Sequence, residues 1–261
     1  MPISLFDQPQ FNERLFFPRK VLTPTPVGAE DFHVEVPGAT LHVRWHHGDS
    51  DRFTLLLFPG NGEVAADYDG LAPHLAARGV SLAVTDYRGY GQSTGIPTLR
   101  AAIEDAPVVA KALLQRGARP LIVHGHSLGS VCAAELAKDP PPGVCAFVWD
   151  SGFVRLGGLV ARRGLVVPSE FSKEDLEAFD PLPKLARCHM PILVLHGAQD
   201  TQIPAEEARE AWEAIPGTFK RLVLLEGCDH NDVLTSSDYW RALDAFLEDL
   251  LEMETIAGFE E

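Results

Sequence analysis

The sequence predicts an α/β fold, a doubly wound and mostly parallel sheet of about eight strands with helices on both faces. Three observations support this prediction. An alternating pair of strands comes first, short and almost wholly apolar runs follow, and amphipathic stretches separate those runs. Strands that are apolar on both faces belong inside a parallel sheet that helices cover.

The strands are predicted from two kinds of pattern. Period-two alternation in 32–36 and 41–45 is typical of a half-exposed antiparallel pair. The later strands lack alternation, as buried strands of a parallel sheet do. Their runs are 53–58, 80–84, 121–123, 144–149, 192–195 and 222–225.

Helices are predicted where apolar residues recur at three- and four-residue spacing. These stretches are 71–77, 99–114, 130–137, 205–214 and 239–251. We interpret residues 1–261 as a single domain. Within it, 154–190 is too long for an ordinary loop and contains a helix start at 172–175. Two interpretations stay open for this segment, a small lid or cap over a site and a surface excursion with one helix.

Composition narrows the classes of partner. The chain has 22 Lys and Arg against 37 Asp and Glu, a net charge of −15. Such acidity repels phosphate backbones and anionic headgroups, so we expect neither nucleic acid nor bare membrane as a partner. The sequence contains neither a stretch of roughly 18 apolar residues nor a secretory signal at its start, which predicts a cytoplasmic protein without a transmembrane segment. The oligomeric state is left open.

The four cysteines predict neither a metal site nor a disulfide framework. Cys132, Cys145, Cys188 and Cys228 lie far apart and form no C-x-x-C pair. We interpret them as small apolar side chains in a reducing compartment. The expected chemistry therefore uses no metal and no cofactor.

The strongest local motif is G-H-S-L-G at 125–129, a match to G-x-S-x-G. It follows the predicted strand at 121–124 and precedes a predicted helix. At such a strand-to-helix turn a serine is lifted above the sheet edge, at the positive end of the helix. The context predicts Ser127 as a nucleophile.

A serine hydroxyl needs a base and an acid that orients the base. Asp200 and His230 each follow a predicted strand, where ligand sites gather on open parallel sheets. The chain order Ser127, Asp200, His230 fits the order serine, acid, histidine. Asp150, after the strand at 144–149, stays open as the alternative acid.

These motifs, together with F-P-G-N-G at 58–62 and D-Y-R-G-Y-G-Q-S at 86–93, make the chain resemble the α/β-hydrolase superfamily from residue 32 to 251. It is most similar to the small acyl-hydrolase branch, which includes bacterial esterases and depalmitoylating and bud-emergence-type hydrolases. The resemblance implies an oxyanion hole from the backbone N–H groups of Leu128 and Asn61. Where many relatives have His-Gly, this chain has Pro59-Gly60.

Several residues near these motifs have a plainer interpretation. His124, His126 and His196 are expected to be buried and hydrogen-bonded rather than catalytic. Glu63 either touches substrate or begins a helix, and the helix start is favoured. Arg88 is expected to pair with Asp86 or with another buried carboxylate, since no phosphate-loop spacing is present.

The resulting hypothesis is a serine hydrolase that cleaves a small-molecule ester or thioester through an acyl-enzyme. An amidase or peptidase is the alternative within enzymes. A non-catalytic ligand- or partner-binding protein is the alternative from another class. A cofactor-free haloperoxidase or perhydrolase side activity shares the same three residues.

Overall fold

A computed structural model describes residues 5–48, 52–118, 120–162, 164 and 173–257. In this part of the chain eight strands form one sheet in the order β1-β2-β4-β3-β5-β6-β7-β8. The strands are β1 (Ala29–Val36), β2 (Ala39–His46), β3 (Phe53–Phe58), β4 (Val80–Thr85), β5 (Leu121–His126), β6 (Val144–Asp150), β7 (Ile192–Gly197) and β8 (Lys220–Leu225). β1 and β2 are antiparallel, and β3 to β8 run parallel to one another. The predicted fold class is confirmed.

The helices cover both faces of the sheet. They are α1 (Pro9–Leu15), α2 (Ala72–Ala76), α3 (Leu99–Gln115), α4 (Ser130–Lys138), α5 (Leu156–Arg162), α6 (Lys173–Phe179), α7 (Pro181–Leu185), α8 (Ala205–Ala214) and α9 (Ser237–Ala257). Side chains of α2 and α9 share one apolar core, and those of α1, α3, α4 and α8 share the other. None of the described helices is long and apolar enough to cross a membrane.

Alternation along the central strands explains the two cores. In β5 the side chain of Ile122 joins the core under α2 and α9, whereas Leu121 and Val123 join the opposite one. Both faces are therefore dry, which is why the sequence of this strand shows an unbroken apolar run.

The segment 154–190 differs from the single helix of one interpretation. Three short helices, α5, α6 and α7, lie in its described part, while residues 163 and 165–172 fall outside the described residues. Lys184 of α7 places its Nζ 2.9 Å from Glu135 Oε2 on α4, and the backbone N–H of Val154 donates to Glu207 Oε2 on α8 at 2.9 Å. Both ends of the segment are thus attached to the main domain, and its role as a lid stays a prediction.

The strand order places the site. β3 lies between β4 and β5. The chain passes from β3 to β4 on one side, and then crosses to β5 on the other side, from which β6, β7 and β8 follow outward. Phe58 at the end of β3 pairs with Gly125 near the end of β5. The loops after these two strands therefore meet at the point where the winding reverses, where ligands bind in open α/β sheets.

Candidate active site

The turn after β5 holds Ser127 in a strained backbone conformation. Its φ is 49°, in the left-handed region that L-residues rarely adopt. A short 3-10 turn, Ser127–Gly129, leads directly into α4. A Cβ at Gly129 would lie 1.9 Å from the carbonyl oxygen of Phe58, and one at Gly125 would lie 2.6 Å from that of Gly129. Both glycines are needed because β3, β5 and α4 approach one another so closely.

His230 lies between the serine and a carboxylate. Its Nε2 is 2.8 Å from Ser127 Oγ, and its Nδ1 is 2.6 Å from Asp200 Oδ2. An ionised carboxylate only accepts hydrogen bonds, so Nδ1–H must donate to Asp200. That tautomer leaves the Nε2 lone pair free to accept the hydroxyl proton of Ser127.

Asp200 is held by more than His230. Its Oδ1 accepts the backbone N–H groups of Gln202 and Ile203, both at 2.8 Å, and its Oδ2 is also 3.2 Å from His196 Nε2. Burial raises the pKa of this carboxyl, but the hydrogen bonds from His196, His230 and Ile203 outweigh it and hold the pKa below its usual range. The carboxylate therefore stays ionised and faces the imidazole.

A second aspartate ties together the loops that carry Asp200 and His230. Asp229 Oδ1 accepts the backbone N–H of Thr201 and that of His230, both at 2.8 Å. A Cβ at Gly197 would lie 2.6 Å from the carbonyl oxygen of Asp229, so the two loops also pack closely. No local sequence pattern indicates this bridge, because it joins residues 28 positions apart.

Asp150, the alternative acid, has other histidines around it. It ends β6, where it pairs in register with His126 of β5. Its Oδ2 is 3.3 Å from His124 Nε2, and its Oδ1 is 3.7 Å from His126 Nδ1 and 2.9 Å from Ser151 Oγ. The carboxylate that the structure places against His230 is that of Asp200.

The two predicted oxyanion donors sit on either side of the reversal point. Leu128 follows the serine at the start of a helical turn, where backbone N–H groups have no partner within the helix. Asn61 lies in the loop after β3, and its side chain makes three hydrogen bonds to other residues. Asn61 Nδ2 donates to the carbonyl of Leu15 at 2.5 Å, and its Oδ1 accepts from Tyr90 Oη at 2.7 Å and from the N–H of Phe17 at 3.1 Å. The predicted oxyanion donor is the backbone N–H of Asn61, and these three bonds of the side chain hold the loop in place.

Glu63 does not begin a helix, so that expectation is wrong. The next helical turn is the 3-10 turn Ala65–Tyr68. The Glu63 side chain folds back, so that its Oε2 accepts the backbone N–H of Gly60 at 2.6 Å and the hydroxyl of Tyr68 at 2.5 Å. The chain turns at Gly60, so the N–H of that residue has no strand partner. The Glu63 carboxylate accepts it instead and thereby closes the loop that carries Asn61.

The other plain interpretations agree with the contacts. His124 and His196 are buried and hydrogen-bonded, and His126 is buried between carboxylates. Arg88 makes two hydrogen bonds of 2.7 Å to Asp105 on α3 rather than pairing with Asp86.

Two cavities open beside the triplet of Ser127, His230 and Asp200. One of about 350 Å³ is lined by Ser127, Leu159, Arg162, Thr201, Gln202, Ile203 and His230. The other, of about 380 Å³, lies on the α2 and α9 face, and its lining includes His126, Asp150 and Trp240. His126 lines the second cavity and His230 the first, and their ring centroids are 5.7 Å apart. Ser127 lines the first cavity, which makes that one accessible to the hydroxyl.

Comparison with known sequences agrees with the motifs. A family model described as serine aminopeptidase, S33, matches residues 49–174. The alpha/beta hydrolase domain-containing protein 17C of Mus musculus is 29% identical over 205 residues, which cover 76% of this chain and 60% of the relative. The Homo sapiens protein of the same name is also 29% identical, with 76% and 59% covered. The match thus spans less than two thirds of these relatives' length.

Solved structures with the same fold include the Pf2001 esterase of Pyrococcus furiosus, with a TM-score of 0.72, 20% identity, and 89% of this chain and 98% of the esterase covered. A bromoperoxidase of Bacillus anthracis has a TM-score of 0.64 at 16% identity, with 84% and 100% covered. At these identities the likeness shows the fold. Together with the strand order, it shows that this chain has the α/β-hydrolase fold.

Proposed function

We propose that this protein is a serine hydrolase that cleaves a small-molecule ester or thioester through a covalent acyl-enzyme. The observation that carries the proposal is the continuous hydrogen-bonded path from Ser127 Oγ to His230 (2.8 Å) and from His230 to Asp200 (2.6 Å). Nucleophile, base and orienting acid stand within hydrogen-bond reach of one another, which is the geometry that activates a serine.

In the acylation step Ser127 Oγ attacks the carbonyl carbon and His230 Nε2 takes the hydroxyl proton. Asp200 holds Nδ1–H and stabilises the imidazolium that forms. Negative charge develops on the carbonyl oxygen, and the backbone N–H groups of Leu128 and Asn61 are the donors assigned to it. Each such donor is worth roughly 3 kcal/mol in the transition state.

The imidazolium then gives its proton to the leaving alcohol or thiol, which departs and leaves an acyl ester on Ser127. Water enters, His230 Nε2 takes one of its protons, and the resulting hydroxide attacks the acyl carbon. This attack forms a second tetrahedral intermediate, after the one formed in acylation. Its collapse returns the proton from His230 to Ser127 Oγ and releases a carboxylic acid. The two steps use the same three side chains and the same two backbone donors.

The cavity of about 350 Å³ is the place we assign to the substrate, because Ser127 and His230 both line it. Arg162 in this cavity pairs with Glu207 at 2.7 Å, so its charge is already compensated. A neutral carbonyl compound fits this lining better than a strongly charged one.

A fluorophosphonate probe tests the nucleophile directly, because it phosphonylates an activated serine whatever the natural substrate is. We expect the wild type to be labelled and Ser127→Ala to lose both labelling and turnover, with kcat falling on the order of 10⁵- to 10⁶-fold. Ser130→Ala is the matched control. It removes a buried hydroxyl on α4 that has no hydrogen-bond partner among the described residues, and labelling should persist. A wild type that resists the probe, or an active Ser127→Ala, contradicts the proposal.

A second candidate is amide or peptide hydrolysis, which the description of the matching family model as a serine aminopeptidase favours. The same triad would serve it, but the leaving group would be an amine. Measuring kcat/KM for p-nitrophenyl esters, acyl thioesters and aminoacyl p-nitroanilides separates the candidates. Preference for the anilides would replace the esterase proposal with the aminopeptidase one.

A further inference from the structure

Three charged side chains connect the loop after β3 with the end of β6. Glu63 Oε1 lies 3.8 Å from His126 Nε2, and His126 Nδ1 lies 3.7 Å from Asp150 Oδ1. The other oxygen of Glu63 accepts the backbone N–H of Gly60 at 2.6 Å. A continuous path of charged contacts therefore runs from Asp150 through His126 and Glu63 to the residue before Asn61.

The backbone at Gly60 is packed directly against this path. A Cβ at Gly60 would lie 2.8 Å from Glu63 Oε2 and 3.1 Å from His126 Cδ2. His126 and Asp150 are both buried, with 9% and 2% of their surface exposed. Any shift of Glu63 or of the His126 ring would therefore alter the position of the loop.

The surroundings of His126 favour its protonated form. Both ring nitrogens face carboxylates, which only accept hydrogen bonds, and an imidazolium donates from both nitrogens. The titratable groups around it are Glu63 on the loop, Asp150 on β6, His124 on β5, and His230 and Asp200 beyond β8 and β7. Burial lowers the pKa of His126, but the charges of Asp150 and Glu63 outweigh this and raise the pKa to about 9.

We propose that His126 and Glu63 are positioning residues, in which the His126 imidazolium holds the Glu63 carboxylate and Glu63 in turn holds the oxyanion loop at Gly60. This inference rests on the proposed function, since it assigns a purpose to the position of the Asn61 N–H. Neither side chain touches the reacting atoms. They act by fixing the distance between the Asn61 and Leu128 donors.

Loss of the His126 proton would leave two carboxylates facing a neutral ring, and the hold on Glu63 would weaken. The rate of the chemical step should therefore fall as pH rises through about 9, while KM changes little, because an oxyanion donor acts in the transition state. This fall would appear as an alkaline limb of the kcat profile.

Three variants test this inference in the full chain, with p-nitrophenyl ester hydrolysis followed from pH 5 to 10. Glu63→Gln keeps an oxygen that accepts the Gly60 N–H but loses the charge, so we expect the alkaline limb to move down by about one pH unit or more. Glu63→Ala loses the acceptor as well, so we expect kcat at pH 7 to fall by about 10- to 100-fold with KM nearly unchanged. Glu104→Gln, an exposed carboxylate on α3, is the matched control and should keep the wild-type profile.

His126→Gln provides a second measurement, because a variant without the imidazole should lack the alkaline limb. The inference is overturned if Glu63→Gln titrates like the wild type, or if Glu63→Ala raises KM instead of lowering kcat. Fluorophosphonate labelling of the wild type distinguishes failure of the positioning role from failure of the proposed serine hydrolase activity. A labelled wild type with an unmoved Glu63→Gln profile refutes only the positioning role, whereas an unlabelled wild type refutes the serine hydrolase itself.

Discussion

Two aspartates lie near the carboxyl edge of the sheet, Asp150 as the last residue of β6 and Asp200 in the loop after β7, and the histidines beside them face different partners. Asp200 meets Nδ1 of His230, and the Nε2 of that ring faces the Ser127 hydroxyl. Asp150 faces Nδ1 of His126, and the Nε2 of that ring faces the Glu63 carboxylate. Both aspartates are buried, and both have a pKa that neighbouring histidines hold low although burial raises it.

The difference lies in what the second ring nitrogen faces. A hydroxyl can give its proton to Nε2, so a neutral His230 with a free lone pair is suited to act as a base. A carboxylate accepts a proton and has none to give, so His126 is suited to stay protonated as a cation between two anions. The same pair of residue types is thus poised for proton transfer in one place and for holding charge in the other.

The largest expected effect separates the two aspartates by activity. Asp200→Asn should fold, but it favours the wrong tautomer of His230. We therefore expect kcat to fall by about 10⁴-fold, the size of loss typical of a Ser-His-Asp triad without its aspartate. Steady-state kinetics will measure this loss of kcat. The assay temperature should lie well below the Tm of the variant, so that unfolding does not contribute. If Asp200→Asn turns over normally and Asp150→Asn is inactive while folded, the acid is Asp150 and our assignment is wrong.

The second prediction separates them by stability. Asp150→Asn should cost far less activity than Asp200→Asn, because its effect reaches the site only through His126 and Glu63. It leaves His124 and His126 buried without their carboxylate, and breaking a buried charged pair costs about 3 kcal/mol or more. Urea unfolding at pH 7 measures this loss. A variant as stable as the wild type would show that the charged contacts of Asp150 with His124 and His126 do not stabilise the fold.

The smallest expected effect is the dependence of stability on pH. The pKa of His126 is raised to about 9 from an unfolded value of 6.5, so its contribution is fully present below pH 6.5 and is lost as pH rises through 9. The lowered pKa values of Asp150 and Asp200 act in the opposite direction. The stability they contribute is present above the pKa of an unfolded aspartate and is lost as the pH falls below it. The alkaline loss is on the order of 3 kcal/mol from the His126 shift.

Urea midpoints measured at pH 6, 8 and 10 for the wild type and His126→Gln check that loss. The wild type should weaken between pH 6 and 10, with most of the loss between about 6.5 and 9, and the variant should not show this slope. Equal slopes in the two proteins would mean that His126 is neutral in the folded state, and the contrast between the two histidines would disappear.

Much of the site was predictable because strand ends can be read from local patterns. Apolar runs locate β5, β7 and β8, and the residues just beyond them include Ser127, Asp200 and His230. Ser127 is marked further by glycines that the close approach of strand and helix requires. The structure places these three side chains within hydrogen-bond distance of one another, and their catalytic roles stay a proposal.

Other features depend on contacts between distant segments, and no local pattern announces them. α1 was not predicted, since its seven residues are few for a periodic pattern, yet the carbonyl of Leu15 at its end anchors Asn61 across 46 positions. Glu63 looks like a helix start because it is acidic and stands before Val64 and Ala65. Its actual partners, Gly60 and His126, are set by the loop reversal and by the neighbouring strand.

The sequence by itself determined the succession of the strands along the chain, the fold class, and which residues lie at the carboxyl edge of the sheet. Periodicity carries that information, because burial of each face is a local property of the chain. The tertiary structure alone decided which aspartate meets His230. Asp200 is aimed by the backbone N–H groups of Gln202 and Ile203, and Asp150 by its register with β5. Side-chain direction at a strand end depends on such hydrogen bonds and on the neighbouring strand, so two equivalent carboxylates in the sequence become different ones in the fold.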